Sequence, residues 1–339
     1  KPEEKVLRIY PQKNLFSHII GQIDDNNNGI SGLEKSFNEI LRKSKTDIKL
    51  TVDKDIQFLI RKELIKYQEI FKSKGSAAIL MDVNNGNILS LVSLPDFDPN
   101  QRKNITDINL INRVTKGTYE LGSVFKPFTF ASALNKDLIK PETEFLNLPK
   151  SIRCEKHRIG EYDNEIPSDL SAEQILIRSG NIGSVRIAQK IGPEKYKSFL
   201  EKIGVLSQIS FDIEEVSPQK NYNFGKCKLA TASYGHGIAT TILQLAKGYS
   251  IISNGGFDIK PTLINKSIQN KKKRTRILNK GVSAQVVKAL RKIVNTEEGT
   301  AKFANVPNYE IGGKTGTADQ PKDGSYSEAK INTFASIFP

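Results

Sequence analysis

Ser123 and Lys126 are three positions apart, which is the spacing of side chains that share one face of a helix. A serine hydroxyl is a weak nucleophile at neutral pH unless a neighbouring base accepts its proton. A lysine can be that base when burial or nearby cations lower its pKa. The pair therefore fits an activated nucleophile, and taken alone it fits a helix N-cap equally well.

The Ser-x-x-Lys pattern occurs three times, because it is also present at Ser217–Lys220 and Ser327–Lys330. Ser217 precedes a proline in a polar run, and Ser327 lies in the polar stretch 323–328, so both are predicted to lie in loops. Ser123 instead opens a segment in which apolar residues recur with a period of about 3.6. Pro127 is tolerated only near a first helical turn, which predicts that Ser123 lies at the positive N-terminal end of a helix.

Two further motifs follow Ser123 along the chain. Ser179-Gly180-Asn181 offers a second hydroxyl and a carboxamide, although Ser36–Asn38 repeats the pattern and a helix cap would explain it as well. Lys314-Thr315-Gly316-Thr317 contains the one Lys-[Ser/Thr]-Gly of the sequence and follows two glycines in a strand-like run. Glycine in a strand lets a ligand or another backbone approach closely. Unless Lys314 is an ordinary edge-strand lysine, this motif would present a charge and a hydroxyl to an anionic group such as a carboxylate.

Composition restricts the function classes only in part. The 339 residues suffice for two domains or for one large domain with appendages. The net charge is +14, but the basic residues are dispersed, and the one dense cluster, at 271–274, is predicted to be a surface loop. Anionic lipid or an anionic cell-wall polymer would match this charge as well as nucleic acid does. No run of 18 apolar residues long enough to span a membrane occurs.

Cysteine and histidine argue against two kinds of site. Cys154 and Cys227 are the two cysteines, and they lack a Cys-x-x-Cys spacing or a histidine cluster, so no metal site is predicted and a single disulfide remains open. The three histidines are His18, His157 and His236, and no Gly-x-Ser-x-Gly context accompanies them, which argues against a Ser-His-Asp hydrolase. His236, between two glycines, is predicted to be structural or to line a groove.

The elements that must position these residues can be outlined from periodicity. A short helix is predicted over 33–41, a connector at 44–47, and then a long amphipathic helix. Its predicted buried stripe consists of Ile56, Ile60, Leu64, Tyr67 and Phe71. An Asn-Gly turn at 84–87 between apolar runs predicts a hairpin.

Helix spacing dominates from about 120 to 250 and returns at 281–294, whereas 309–317 and 331–338 are strand-like and are joined by the polar stretch 319–327. Strands at both ends with helices between them predict one α+β domain whose sheet joins early and late sequence.

The order Ser-x-x-Lys, Ser-x-Asn, Lys-Thr-Gly is the signature of β-lactamases and penicillin-binding proteins. Over nearly its whole length the sequence resembles class B penicillin-binding proteins. Gly32-Leu33-Glu34 and Tyr234-Gly235-His236-Gly237 make it most similar to the division-specific, septal subgroup. The remaining stretches that carry the resemblance are Arg8-Ile9-Tyr10-Pro11, Leu50-Thr51-Val52-Asp53, Ser93-Leu94-Pro95, Asn112-Arg113, Thr241 with Gln244, and Gly299-Thr300-Ala301.

The resemblance implies a penicillin-binding/β-lactamase-like α+β fold, in which an antiparallel sheet is flanked by helices and accompanied by an all-helical subdomain. It divides the chain into 1–46, the remnant of a non-catalytic pedestal domain with its linker, and 47–339, the transpeptidase domain. The family continues beyond the last strand seen here with another strand and a C-terminal helix. It also implies an N-terminal single-span anchor, with the domain on the extracytoplasmic, periplasmic face of the cytoplasmic membrane.

The implied activity is a DD-transpeptidase that cross-links peptidoglycan stem peptides through an acyl-enzyme on Ser123. Lys126 would be the base, and Ser179 would relay a proton to the leaving amine. Asn181 would hold the donor amide and help fix Lys126, and Lys314 would assist proton transfer through Ser179 and supply positive charge. Thr315, Gly316 and Thr317 would bind the terminal carboxylate of the donor. The backbone N–H groups of Ser123 and Thr317 would form the oxyanion hole.

No cofactor and no metal are implied. The implied partners are peptidoglycan stem peptides, β-lactam antibiotics, and a glycosyltransferase with other divisome membrane proteins, and not nucleic acid. Three alternatives stay open: a β-lactamase or DD-carboxypeptidase that uses water as the acceptor, an elongation-type transpeptidase, and a non-catalytic β-lactam sensor. The stretches Arg8–Glu34 and Tyr234–Gly237 disfavour the first, and the intact motif residues disfavour the last.

Overall fold

The computed structural model describes residues 8–43, 47–101, 105–155, 157–214, 224–265, 274–322 and 325–339. Twelve α-helices lie within these ranges. They are α1 (Ser17–Ile20), α2 (Gly32–Ser36), α3 (Asn38–Lys43), α4 (Lys54–Ile70), α5 (Asp107–Leu110), α6 (Lys126–Leu134), α7 (Ala172–Ile177), α8 (Asn181–Ile191), α9 (Pro193–Lys202), α10 (Lys226–Ala232), α11 (Ile242–Ser253) and α12 (Lys280–Asn295).

Helices occur in most of the segments where the periodicity predicts them, and α7 and α11 begin with side-chain caps. Ser171 caps α7 and Thr241 caps α11, each within a capping box that a glutamine completes three residues later. The helix predicted over 33–41 is instead two short helices, α2 and α3, which Phe37 separates. The Ser-x-x-Lys at Ser217–Lys220 and residues 271–273 of the basic cluster lie outside the described residues.

The described strands form four two-stranded antiparallel sheets. In chain order they are β1 (Ser76–Met81) with β2 (Ile88–Leu94), β3 (Glu144–Phe145) with β6 (Leu170–Ser171), β4 (Ser151–Cys154) with β5 (His157–Gly160), and β7 (Gly312–Lys322) with β8 (Ser325–Ile337). The α+β class is confirmed. The early pair β1–β2 and the late pair β7–β8 both pack on α11, although no ladder of hydrogen bonds joins these pairs in the described residues.

The loop predicted over 319–327 is wrong, because pairing continues through most of it. Asp319 lies opposite Lys330, and the strands extend to Lys322 on one side and from Ser325 on the other. Ser327 therefore lies in β8 and not in a loop. Strand β7 also begins later than predicted, at Gly312 instead of residue 309. Polar side chains misled the sequence prediction, because a two-stranded ribbon open to solvent needs no apolar alternation at its end.

The predicted buried stripe of α4 is also wrong in part. Tyr67 is 49% exposed and Phe71, just beyond the helix, is 72% exposed. The buried side chain of α4 is Gln57, whose amide donates to Leu91 O at 2.8 Å and accepts from Ser90 Oγ at 2.7 Å. The helix is thus attached to β2 by a satisfied buried amide, which an apolar periodicity does not reveal.

The larger of two hydrophobic cores surrounds α6. Phe125 meets Phe128 edge-on at 5.7 Å between ring centroids, and Phe128 meets Tyr249 at 5.4 Å. The Tyr249 hydroxyl donates to Val124 O at 2.9 Å. The helix that begins at Lys126 is therefore fixed from several sides. A smaller core joins Ile19 and Leu33 of the N-terminal segment to residues of β2 and α11.

A disulfide joins Cys154 at the end of β4 to Cys227 in α10, with Cα atoms 5.5 Å apart. The sequence left this pairing open because the two residues are 73 positions apart. The bond ties the β4–β5 hairpin to the helical part of the molecule.

Candidate active site

Ser123 lies in a 3₁₀ turn, Gly122–Phe125, that leads directly into α6. The Lys126 backbone N–H donates to Ser123 O, so the two residues are one turn apart, and Pro127 lies in the first turn as expected. Ser123 is half-buried, whereas Lys126 is only 1% exposed. The placement of the pair at a helix N-terminus is confirmed.

The second motif lies directly against Lys126. The side-chain nitrogen of Lys126 lies within hydrogen-bond distance of the backbone O of Ser179, of Ser179 Oγ at 3.1 Å and of Asn181 Oδ1 at 2.8 Å. Ser179 has φ of 59°, a left-handed conformation that costs a non-glycine residue about 1–3 kcal/mol and that concentrates at functional sites. Two motifs separated by more than 50 residues are thus joined at a single amine.

The third motif lies on β7, where burial alternates along the strand. Lys314 is fully buried and donates to Thr315 O at 3.0 Å and to Thr300 Oγ1 at 3.3 Å. Thr315 is half-buried and Thr317 is exposed, and because they are two positions apart they share the other face of the strand. Among the described residues no hydrogen bond joins Lys314 to Ser179, so the relay predicted between these two residues stays a prediction.

Glycines let β7 pack closely against the turn that carries Ser123. A Cβ on Gly316 would lie 2.3 Å from Leu121 O, and one on Gly122 would lie 2.5 Å from Thr317 O. Gly122 also has φ of 63°, which disfavours any other residue. This close approach sets the backbone of Thr317 against that of Gly122, the residue before Ser123, and the predicted oxyanion hole needs the N–H groups of Thr317 and Ser123 near one another.

The Gly316→Ala substitution is expected to separate β7 from this turn, because the added methyl group would overlap the Leu121 carbonyl and touch Val124. We expect the rate of acylation of Ser123 by a fluorescent penicillin to fall by about 10²-fold, the effect of losing one oxyanion donor. Gly281→Ala is the matched control, since a Cβ there meets nothing within 4 Å. An acylation rate of Gly316→Ala equal to that of the control would contradict the close-approach argument.

Burial determines the protonation of both site lysines. The pKa of Lys126 is held well below its ordinary value, first by burial and then by the positive charge of Lys314, while the carboxylate of Glu161 opposes the shift. Burial lowers the pKa of Lys314 to about 7. Burial and the repulsion from Lys314 favour the neutral form of Lys126, which is what a general base requires, whereas a pKa of about 7 leaves Lys314 partly protonated at neutral pH.

The sequence predicts that His236 is structural or lines a groove, and the structure shows which aromatic rings surround it. The His236 ring lies 5.1 Å from that of Tyr234 and 6.1 Å from that of Tyr326. Burial lowers its pKa, while the charges of Glu120 and Asp319 oppose this. A neutral His236 fits a groove-lining residue better than a permanently charged one.

The structure also brings in three residues that no motif prediction included. Glu120 accepts from Gly237 N at 2.9 Å and from the Tyr326 hydroxyl at 3.0 Å, which links the turn of Ser123 to the β7–β8 hairpin. Thr300 contacts Lys314 and Thr315, and Glu161 contacts the start of α8. The stretch Gly299-Thr300-Ala301 was part of the family resemblance and could have indicated Thr300, whereas no motif in the sequence indicated Glu161.

In the parts of the chain that the structure describes, no three histidine, cysteine or acidic residues cluster as a metal site would require. Within the same residues, no helix has the length and apolarity needed to cross a bilayer.

Comparison with known proteins identifies the family that this fold and site define. The family model of the penicillin-binding protein transpeptidase domain matches residues 76–339, and the chain belongs to that family. The "Probable peptidoglycan D,D-transpeptidase FtsI" of Caulobacter vibrioides is 28% identical over 99% of this chain and 58% of its own length. The "Probable peptidoglycan D,D-transpeptidase PenA" of Neisseria meningitidis is 27% identical over 99% of this chain and 62% of its own length.

A solved structure agrees with these relatives. Penicillin-binding protein 3 of Mycobacterium tuberculosis, complexed with aztreonam, superposes with a TM-score of 0.86 at 26% identity, over 98% of this chain and 80% of that one. The predictions of a class B penicillin-binding protein of septal type and of its α+β fold are therefore confirmed. The chain spans about three fifths of the length of the two curated relatives.

Proposed function

We propose that this chain carries a serine DD-transpeptidase domain that cross-links peptidoglycan stem peptides and is the target of penicillins. The observation that carries the proposal is the buried amine of Lys126, which lies one turn from Ser123 and contacts both Ser179 and Asn181. The printed names of the relatives, peptidoglycan D,D-transpeptidases, support it.

The first half-reaction forms an ester on Ser123. As Ser123 Oγ attacks the carbonyl of the penultimate D-Ala of the donor, neutral Lys126 accepts the hydroxyl proton. Negative charge develops on the carbonyl oxygen, where the N–H groups of Ser123 and Thr317 would donate to it. The peptide bond breaks, and the leaving D-Ala amine takes a proton through the Ser179 hydroxyl, which Lys126 contacts at 3.1 Å.

The second half-reaction transfers the acyl group to an acceptor amine. The amine attacks the ester, the bond to Ser123 Oγ breaks, and the proton lost by the amine returns to the serine through the same groups. Thr315 and Thr317 lie on the less buried face of β7, where they would bind the donor carboxylate. Thr300 contacts both the Thr315 hydroxyl and the amine of Lys314, whose positive charge would favour that anion. Asn181 Nδ2 has a second hydrogen available for the donor amide.

The finer assignments belong to the same proposal. We place the domain on the periplasmic face of the cytoplasmic membrane, behind an N-terminal anchor, in septal wall synthesis with a glycosyltransferase and other divisome proteins. The resemblance to the septal subgroup and the printed name FtsI support this placement. The division into 1–46 and 47–339 is likewise proposed. We also propose that β-lactams bind this site, because penicillins mimic the donor peptide. The similar structure that is complexed with aztreonam supports this.

The experiment follows D-Ala release from an N-acetylated pentapeptide that ends in D-Ala-D-Ala, with and without D-methionine as the acceptor amine. A transpeptidase is expected to yield the D-methionine adduct, with D-Ala release accelerated by the acceptor. Rapid hydrolysis that D-methionine does not divert would instead identify a carboxypeptidase. A wild-type protein that binds penicillin covalently and never releases D-Ala would identify a sensor.

A further inference from the structure

Glu161 caps the helix that begins with Asn181. Its two carboxylate oxygens accept from consecutive backbone N–H groups, Oε2 from Asn181 N at 2.6 Å and Oε1 from Ile182 N at 2.9 Å. These N–H groups are among those that an α-helix leaves without intrahelical partners. The helix α8 is 11 residues long, and Gly180, the N-cap residue before it, supplies no side-chain cap, so Glu161 caps the helix from 20 positions before Asn181.

The same corner of the molecule orients the Asn181 carboxamide. Asn181 Nδ2 donates to Gly160 O at 2.8 Å, while Asn181 Oδ1 accepts from Lys126 at 2.8 Å. Because the backbone oxygen of Gly160 can only accept, it fixes which end of the amide faces Lys126. Gly160 and Glu161 together hold the backbone and the side chain of Asn181, and through it the site amine.

Glu161 also acts on Lys126 through its charge. The charged and titratable groups that influence the Lys126 amine come from three elements: Lys314 on β7, Glu161 after β5, and His236, whose own pKa Lys126 lowers. Glu161 is the one that raises the pKa of Lys126 and so offsets part of the repulsion from Lys314. The pKa of Lys314 is lowered by burial.

The position of Glu161 is itself restrained. It directly follows β5, which pairs with β4. In this pair Arg153 of β4 lies opposite Arg158 of β5, and Cys154 lies opposite His157. The Cys154–Cys227 disulfide anchors that hairpin to α10, and α10 packs against α8. The carboxylate and the helix it caps therefore belong to one connected unit.

We propose that Glu161 is a positioning residue for the acylation of Ser123, acting through Asn181 and Lys126. It fixes the amide that holds the site amine, and its negative charge offsets part of the electrostatic effect of Lys314. The inference rests on the proposed function, because it concerns the same reaction. Glu161 lies outside the three motifs, 18 positions before Ser179 in the sequence, and the fold brings it to the site.

The test is the pH dependence of acylation by a fluorescent penicillin in Glu161→Gln. Glutamine keeps one acceptor for the helix N–H groups and loses the charge. We expect the maximal rate to fall about tenfold, as for the loss of one charge-assisted hydrogen bond. Because removing a negative charge lowers the pKa of Lys126 further, we expect the acidic limb of the profile to move to lower pH.

Two companion variants make the outcome specific. Glu161→Asp retains the charge on a shorter side chain, so the rate is expected to fall while the acidic limb stays in place. Glu165→Gln removes an exposed charge from the same loop and should change neither quantity. Thermal unfolding of every variant would report any general loss of fold.

The possible outcomes separate this proposal from the proposed function. A lower rate in Glu161→Gln with an unmoved acidic limb would indicate a purely structural cap and overturn the proposal, as would an unchanged rate. If the wild-type protein itself is not acylated, the proposed function fails at that point, before Glu161 is considered.

Discussion

Replacement of Lys126 by methionine is expected to slow the acylation of Ser123 by a penicillin about 10³-fold, within the range that a general base contributes. Lys126 is 1% exposed, and the residues it contacts are the serine and asparagine of the second motif. Methionine keeps most of the side-chain volume and removes the amine, so the loss reports chemistry more than packing. The measurement is the second-order rate constant for labelling by a fluorescent penicillin.

Lys288→Met provides the matched comparison, because it makes the same chemical change at an exposed position of α12. This variant should label at the wild-type rate. Labelling of Lys126→Met within tenfold of wild type, in protein with an unchanged unfolding midpoint, would show that Lys126 is not the base and that another group takes the serine proton.

Lys314→Met is the second substitution with a large expected effect. Lys314 is buried on β7 with a pKa of about 7, and it contacts Thr300 and the backbone of Thr315. In the proposed function Thr315 and Thr317 bind the donor carboxylate, so loss of the Lys314 charge is expected to lower the acylation rate about 10²-fold. Because that proposed recognition uses the protonated amine, the decline of wild-type acylation above neutral pH should be weaker in the variant.

The same substitution should change how stability depends on pH. The folded-state pKa of Lys314 is about 7 and its ordinary value is 10.5, so between these values the unfolded chain binds the extra proton. Stability contributed by this site therefore rises with pH across that window, by about 1.4 kcal/mol for each pH unit. Below pH 7 Lys314 is protonated in the folded protein as well, and burial of its ammonium group lowers the free energy of unfolding most.

We accordingly expect Lys314→Met to be more stable than wild type at pH 6 in urea unfolding, and to lose that advantage by pH 10. Removing Lys314 also removes the repulsion that lowers the pKa of Lys126, which acts in the same direction, so the difference between the two proteins reports Lys314 together with its effect on Lys126. Parallel curves of unfolding free energy against pH would mean that Lys314 is not buried as the structure has it.

The sequence was informative wherever function depends on local spacing. One helical turn separates Ser123 from Lys126, and Pro127 restricts where that helix can begin, so both the element and its end follow from short-range rules. The hairpin around the Asn-Gly turn was predictable for the same reason. Family resemblance then supplied the order of the three motifs, which spacing alone would not have connected.

Long-range contacts set the limit of that reasoning. The polar residues from Asp319 to Ser327 were predicted as a loop because their pairing partners are decided by register and not by composition. The exposed Tyr67 was predicted as buried because helical periodicity does not report that α4 meets β2 through Gln57. Local sequence propensity predicts neither the strand pairing of these polar residues nor the way α4 packs on β2.

In the candidate site, too, some features follow from local sequence and others depend on long-range contacts. Ser179 and Asn181 could be selected by motif, but the left-handed backbone of Ser179 that turns its carbonyl to Lys126 is a tertiary feature. Glu161 reaches α8 only because a disulfide-anchored hairpin places it there, and a lone glutamate before a tyrosine carries no sequence signal.

Intact mass spectrometry after incubation with benzylpenicillin tests the nucleophile assignment most directly. The wild-type protein is expected to gain one penicilloyl group, located by peptide mapping to the segment that contains Ser123. Ser123→Ala should gain none, while its unfolding midpoint stays near that of wild type. An adduct that persists on Ser123→Ala, or a wild-type protein that forms no adduct, would contradict the assignment of Ser123 as the acylated residue.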